Sequence, residues 1–136
     1  LEKAVTRLAV LSLHTSPLVQ PGGGDAGGMN VYVRELMASL AHGGTDATVY
    51  VRRWRDDLPK RMTVEPGFEV VHVDAGPLEL AKEELPEVVD AFADGVRGAS
   101  DSWPNFHLIG TCFRGEWGYG NDVFCSGSLW GVTSFR

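Results

Sequence analysis

Short apolar runs recur along the first 109 residues and are separated by stretches with helical spacing. Residues 8–13 (Leu-Ala-Val-Leu-Ser-Leu) are almost wholly apolar, which is typical of a strand buried on both faces of a parallel sheet. Residues 47–51 and Phe68–Val73 repeat the pattern with β-branched and aromatic side chains. Together with the run 105–109, these segments predict four strands.

Two helices are predicted between these strands. From residue 29 the apolar positions fall at helical spacing, and Gly43-Gly44 provides a C-terminal stop, which predicts a helix over 29–42. Pro86 can begin a second helix in its first turn. The apolar faces comprise Val33, Leu36, Met37 and Leu40 in the first helix and Leu85, Val89, Phe92 and Val96 in the second.

The order strand, helix, strand, strand, helix, strand predicts an α/β fold with a mainly parallel sheet and helices on both faces. Ligands of such sheets bind at the carboxyl ends of the strands. After Gly110 the periodicity disappears and glycines and aromatic residues become dense, so no regular element is predicted there. We therefore expect one domain over residues 1–109 and a divergent tail over 110–136.

Composition narrows the functional classes. The 136 residues, 43% hydrophobic and 22% charged, fit one soluble globular domain, and the net charge of -6 gives no general attraction to nucleic acid or anionic membranes. The apolar run 8–13 is too short for a signal peptide, and no stretch has the length of a membrane span. Cys112 and Cys125 lack zinc-site spacing, so we expect reduced thiols in a cytoplasmic protein.

A glycine-rich loop joins the first strand to the first helix. Residues 14–33 read His-Thr-Ser-Pro-Leu-Val-Gln-Pro-Gly-Gly-Gly-Asp-Ala-Gly-Gly-Met-Asn-Val-Tyr-Val. Glycines let backbone N–H groups approach a ligand, and the following helix directs its partly positive N-terminus to the same place. The loop therefore predicts a site for a phosphate or diphosphate.

Two common phosphate loops fit poorly. Gly22, Gly24 and Gly27 have dinucleotide-fingerprint spacing, but residues 14–21 lie between strand and glycines, where the turn of an NAD-dependent oxidoreductase should be tight. No acidic residue ends the second strand in the place that binds ribose. No Gly-Lys-Ser/Thr sequence closes the loop, which excludes a P-loop.

The complete stretch 14–33 resembles the N-terminal signature of retaining glycosyltransferases with the GT-B architecture of two Rossmann-like domains. It is most similar to the enzymes that glycosylate inositol phosphate in mycothiol synthesis, with sucrose-phosphate synthases nearby. The resemblance continues through 75–77 and 82–86 and covers about residues 7–109. It implies the N-terminal, acceptor-side half of such an enzyme.

The resemblance also implies roles for individual residues. Gly27 and Gly28 would bring backbone N–H groups to the diphosphate of the donor, whose charge grows as the glycosidic bond breaks. Asn30, Lys82 and His14 would contact the acceptor or its phosphate. Asn30 equally suits a helix cap, and Lys82 could instead form a surface ion pair with a neighbouring glutamate.

Other polar residues are expected to be structural. Asp25 would fix the glycine loop through an Asx turn, and His42 and His72 are expected to be surface or core residues. The basic cluster after the second strand is predicted to be a solvated strand end rather than a phosphate site. It consists of Arg52, Arg53 and Arg55.

The resemblance ends after Phe106. Gly110 and Cys112 stand where the family would be expected to have histidines, and the donor-binding second domain is not found in the sequence. A cleft between two domains is needed to align both substrates. We therefore expect a part of the enzyme that is inactive alone, with an exposed sheet edge through which it could form homodimers.

The function implied is transfer of a hexosyl unit from a UDP-sugar to a phosphorylated polyol or sugar such as inositol phosphate. The resemblance also implies no cofactor besides the UDP-sugar co-substrate and no metal. The competing interpretation is a non-catalytic module that binds a sugar phosphate or nucleotide, and an NAD-dependent oxidoreductase is the third.

Overall fold

A computed structural model of the chain describes residues 7–13, 15–19, 28–99, 106–111, 116–119, 123–126 and 131–135. The strands beyond residue 105 are described by their backbone and pairing. Strands, helices and one 3-10 helix (η1) follow one another as β1 (Arg7–Ser12), α1 (Gly28–His42), β2 (Asp46–Arg52), β3 (Arg61–Glu65), β4 (Phe68–Val73), η1 (Lys82–Val88), α2 (Val89–Ala99), β5 (Phe106–Thr111), β6 (Glu116–Tyr119), β7 (Val123–Ser126) and β8 (Gly131–Phe135).

The main sheet has the strand order β3-β4-β2-β1-β5-β8. Its four central strands are parallel, with Val10 opposite Val49 on one side and Ile109 on the other. The edge strands β3 and β8 pair antiparallel with β4 and β5. The predicted α/β fold with a mainly parallel sheet is confirmed.

The two faces of the sheet carry separate cores, because successive side chains of a strand point to opposite faces. Val33 and Met37 of α1 pack on one face against apolar residues of β1, β2 and β4. Phe92 and Val96 of α2 pack on the other face with Tyr50. The helices therefore cover opposite faces, as the sequence predicts.

The C-terminus of α1 ends in a Schellman motif. Gly44 has a φ of +91°, and its N–H donates to the Ala41 carbonyl while the Thr45 N–H donates to the Leu40 carbonyl. A side chain at Gly44 would be strained by this positive φ. The predicted glycine stop is therefore correct.

Three local predictions need correction. The strand β3 was not predicted, since its side chains are exposed or half-buried at the sheet edge. Pro86 lies within the 3-10 helix η1, and α2 begins only at Val89; proline has no N–H to donate to the carbonyl four residues earlier, so the residues before it do not form a regular α-helical turn. The sequence after Gly110 predicts no regular element, whereas the structure has β6, β7 and β8 there.

The C-terminal strands change the description of the sheet edge. Strand β5 continues to Thr111 and pairs with β1 on one side and β8 on the other, so β5 is not an edge. Strands β6 and β7 form a separate antiparallel pair. The domain boundary at residue 109 and homodimer formation both remain predictions. Within the described residues, no helix is long and apolar enough to cross a membrane.

Helix α2 packs closely against the end of β4 at Gly95. A Cβ added there would lie 2.2 Å from Cγ1 of Val73, a buried β-branched side chain with little freedom to move. Among the described residues, no heavy atom lies within 4 Å of the corresponding position at Gly98 in the same helix. Substitution of Gly95 therefore tests close packing, whereas substitution of Gly98 tests helix propensity alone.

We predict opposite effects of alanine at these two glycines. Gly95→Ala should lower the free energy of unfolding by about 1–2 kcal/mol, because overpacking outweighs the gain in helix propensity. Gly98→Ala should raise it by about 0.4–1 kcal/mol. Urea denaturation of both variants and the parent measures the difference, and equal effects at both sites would contradict this packing.

Candidate functional site

The path of the chain defines where a ligand can bind. From β1 it passes through α1 to β2 and β4 on one side, and later returns through α2 to β5 on the other side. The order of strands thus reverses between β1 and β5. In open α/β sheets a crevice forms at such a point, outside the carboxyl ends of the strands.

The start of α1 lies at this end of the sheet. The helix begins at Gly28, so its N-terminal N–H groups and partial positive charge lie at this end of the sheet. His14, Asp25 and Gly27 lie outside the described residues. The diphosphate assignment of Gly27 and Gly28 therefore remains a prediction.

Asn30 connects the helix to the loop that follows β1. Its side chain is only 3% exposed, and Nδ2 donates to Oγ1 of Thr15 over 2.9 Å. Its position in the first helical turn agrees with the sequence prediction. An amide nitrogen carries two hydrogens, so this bond leaves the residue able to donate to a ligand as well. Its role in acceptor binding stays a prediction.

The same loop is organised by two buried hydroxyl groups. Ser12 donates to the carbonyl of Thr15. The Oγ of the completely buried Ser16 accepts from the N–H of Leu18, and the Ser16 carbonyl accepts from the N–H of Val19. These bonds form a local turn of the type that Ser side chains favour. The backbone at the mouth of β1 is therefore fixed by the protein's own groups.

A cavity of about 130 Å³ opens between this loop and the end of β2. Hydroxyls, a guanidinium and an indole share its wall with aliphatic side chains. The lining residues are Leu13, Thr15, Ser16, Val19, Val51, Arg52 and Trp54.

Arg52 at the end of β2 was predicted to be solvated, and that prediction is wrong. The side chain is 6% exposed, and burial lowers the pKa of its guanidinium below the usual value. It shares a sheet face with Tyr50, since alternate residues point the same way, and that face is covered by the segment after β4. The side chain is thus buried where the sequence suggested solvent.

Backbone carbonyls bind the Arg52 guanidinium. Nη1 donates to Pro77 over 2.7 Å and to Ala75 over 3.4 Å, and Nη2 donates to Leu78 over 3.2 Å. A further Nη1 contact of 3.4 Å reaches the carbonyl of Arg53. Arg52 therefore holds the loop after β4 through several hydrogen bonds to carbonyl oxygens.

The neighbouring arginines form ion pairs. Arg53 Nη2 lies 2.6 Å from Oδ1 of Asp74, and the exposed Arg55 contacts Asp57 through both carboxylate oxygens. For Arg55 the predicted solvated position is confirmed. Its pair with Asp57 contributes little to stability because water screens it.

The two histidines occupy the structural positions that the sequence suggests. His42 is exposed and lies 2.8 Å from a carboxylate oxygen of Glu65. His72 is buried, with Nδ1 2.6 Å from the Pro59 carbonyl and its ring edge-on to Trp54. A carbonyl only accepts, so in this contact Nδ1 carries the hydrogen. Through this ring contact, His72 of β4 packs against Trp54, which lines the cavity.

Lys82 begins the 3-10 helix η1, and its side chain lies outside the described part of the chain. Its backbone is flanked by an ordered turn, in which the Ala81 N–H donates to the Glu84 carboxylate and the Glu84 N–H donates to the Ala81 carbonyl. Neither the predicted phosphate contact nor a surface ion pair of Lys82 is decided by this geometry.

Comparison with known proteins identifies relatives named D-inositol 3-phosphate glycosyltransferase. D-inositol 3-phosphate glycosyltransferase from Streptomyces bingchenggensis is 53% identical over 94 residues, which are 68% of this chain and 21% of the relative. The protein of that name from Streptomyces scabiei is 51% identical over 100 residues, or 73% and 22% of the two chains. This chain therefore spans about a fifth of the length of these curated relatives.

Solved structures agree with the sequence relatives. A sucrose-phosphate synthase from Thermosynechococcus elongatus superimposes with a TM-score of 0.69 and 27% identity, covering 76% of this chain and 27% of that one. A second structure of sucrose-phosphate synthase from the same organism, at a TM-score of 0.55 and 21% identity, supports the fold. No protein-family model matches the chain.

We predict that the contact between Thr15 and Asn30 couples the β1 loop to α1. Thr15→Val and Asn30→Ala should each lower the free energy of unfolding. The loss in the double variant should be smaller than the sum of the two single losses by about 0.5–1.5 kcal/mol. Chemical denaturation of all four proteins gives the coupling free energy. Strictly additive losses would show that the two side chains do not interact.

Proposed function

Because the stretch shared with these relatives belongs to the GT-B glycosyltransferase family, we propose that the chain provides the acceptor side of a hexosyltransferase. The transferred unit would come from a UDP-sugar, and the acceptor would be a phosphorylated polyol or sugar such as inositol phosphate. The observation that carries the proposal is sequence identity of 51–53% to proteins named for glycosylation of inositol 3-phosphate. The start of α1 at the carboxyl edge of the sheet supports it.

The proposed diphosphate site is the N-terminus of α1. Four N–H groups at a helix start lack partners within the helix, and their combined dipole favours an anion. Gly28 stands at the first position, where the lack of a Cβ permits close approach. Donors held in place before the reaction stabilise the charge that develops on the leaving diphosphate. We assign this role to Gly27 and Gly28.

The proposed acceptor site uses His14, Asn30 and Lys82. Asn30 is held in the first turn of α1 by its bond to Thr15, so its amide is oriented before an acceptor arrives. Lys82 would supply the positive charge for the acceptor phosphate. A lysine can bind phosphate as a point charge, and charge-assisted hydrogen bonds are stronger than neutral ones.

The direct test is calorimetric titration of the chain with inositol phosphate, fructose 6-phosphate, UDP and NAD separately. Binding of inositol phosphate or fructose 6-phosphate supports the acceptor assignment and shows which class of acceptor fits. Binding of NAD with no response to the other three would overturn the proposal and favour an oxidoreductase. The assay needs no turnover, so it is informative for the chain alone.

We predict that Lys82→Met weakens binding of inositol phosphate about tenfold or more, because a charged hydrogen bond is lost. Lys60→Met is the matched control, since Lys60 is an exposed lysine on the segment before β3 and its replacement removes the same charge. The control separates a direct contact from the general loss of positive charge. Equal weakening by both variants, or by neither, would contradict the assignment of Lys82.

A further inference from the structure

We propose that Arg52 is a positioning residue that fixes the segment 75–84 and thereby sets the place of Lys82 at the site. The inference rests on the proposed function for the part that concerns acceptor binding. Arg52 itself is not assigned a contact with substrate. Its role is to order the backbone that carries the lysine.

The first observation is the choice of acceptors. The Arg52 guanidinium donates to carbonyls of Ala75, Pro77 and Leu78, which belong to one short loop. Arginine presents its donors in a rigid planar fork, so two nitrogens can reach different carbonyls at once. A buried arginine used in this way connects the end of β2 to the loop after β4.

The second observation is how the nearby acidic side chains are used. Asp74, next to the loop, pairs with Arg53, while Asp57 pairs with Arg55. The contacts described for Arg52 are with backbone oxygens, which stay in place only if the loop keeps its shape. The loop carbonyls stabilise the charge of Arg52 only when the loop has the conformation seen here.

The third observation is a second attachment of the same loop. Gly76 has a φ of +72°, and a Cβ there would lie 2.4 Å from Cγ1 of Val88, so the loop backbone packs directly on the end of η1. The mutual bonds of Ala81 and Glu84 fix the start of η1. Arg52 thus holds the loop on the N-terminal side of Lys82. The packing of Gly76 on Val88 and the hydrogen bonds between Ala81 and Glu84 hold the backbone near Lys82.

The chain length between these attachments is short. Leu78, the last residue held by Arg52, precedes Lys82 by four residues, a span of at most about 14 Å when fully extended. Loosening the carbonyl contacts would therefore change the position of the lysine backbone. Ordering this segment before the acceptor binds reduces the entropy lost on binding.

The test compares Arg52→Met, Arg52→Lys and the control Arg55→Met by hydrogen exchange of the free chain. Arg52→Met removes every donor, and Arg52→Lys keeps the charge but replaces the fork by a single nitrogen. We expect exchange in residues 76–84 to quicken about tenfold in Arg52→Met and less in Arg52→Lys, with the strands unchanged. Arg55→Met should match the parent, since Arg55 is exposed. If Arg52→Met does not fold, the test of the positioning role is whether exchange in residues 76–84 is faster in Arg52→Lys than in the parent.

The second readout is the affinity for inositol phosphate measured by calorimetry. We expect weaker binding by Arg52→Met, partial recovery by Arg52→Lys and parental binding by Arg55→Met. Unchanged exchange in 76–84 overturns the positioning role, whatever the affinities. Faster exchange together with unchanged affinity overturns the link to the acceptor. If the parent chain binds no sugar or polyol phosphate, the proposed function fails, while the exchange data still decide whether Arg52 orders the loop.

Discussion

Burial of the central strands on both faces is the constraint on which the rest of this structure depends. Strands β1, β2 and β4 have helices on one or both sides and apolar partners across the sheet, so their interiors have no place for polar chemistry. The polar contacts of the candidate site lie at the strand ends, in the loops that follow them and at the start of α1. Since the strands run parallel, the loops after them lie at one edge, and the candidate site lies there as well.

At that edge the protein forms a network of its own before any ligand is present. Asn30 joins α1 to the loop after β1, and Arg52 joins β2 to the loop after β4. Both side chains are buried, so each lost bond would leave a polar group without its partner in a medium of low polarity. These two bonds therefore tie the loops at this edge to the helix and the sheet.

The sequence was sufficient for the elements with a strong apolar pattern and insufficient for those at the margins. Strands β1, β2 and β4 and helix α1 follow directly from runs and periodicity that a buried position requires. The edge strand β3 lacks such a pattern, because only its last residues, Val64 and Glu65, are half-buried. Pro66 and Gly67 form a turn signal directly before β4, and pairing across it could have suggested the hairpin.

The candidate site shows the same division. The glycine loop and Asn30 could be found because their spacing carries a signal of its own, whereas Arg52 could not be separated from Arg53 and Arg55 by composition. Alternation along β2 does place residue 52 on the face of Tyr50, which is a buried face. That signal was available, but it does not say that carbonyls of residues distant in sequence provide the compensating contacts.

The use of carbonyls rather than a carboxylate by Arg52 has a physical consequence for the site. A buried ion pair would neutralise the guanidinium, while dipoles stabilise the charge and leave the net positive charge in place. Arg52 also lines the cavity beside Thr15 and Ser16, so that charge raises the potential at the carboxyl edge. The chain as a whole has a net charge of -6, so the positive charge at this edge is a local feature and opposite in sign to the protein's overall charge.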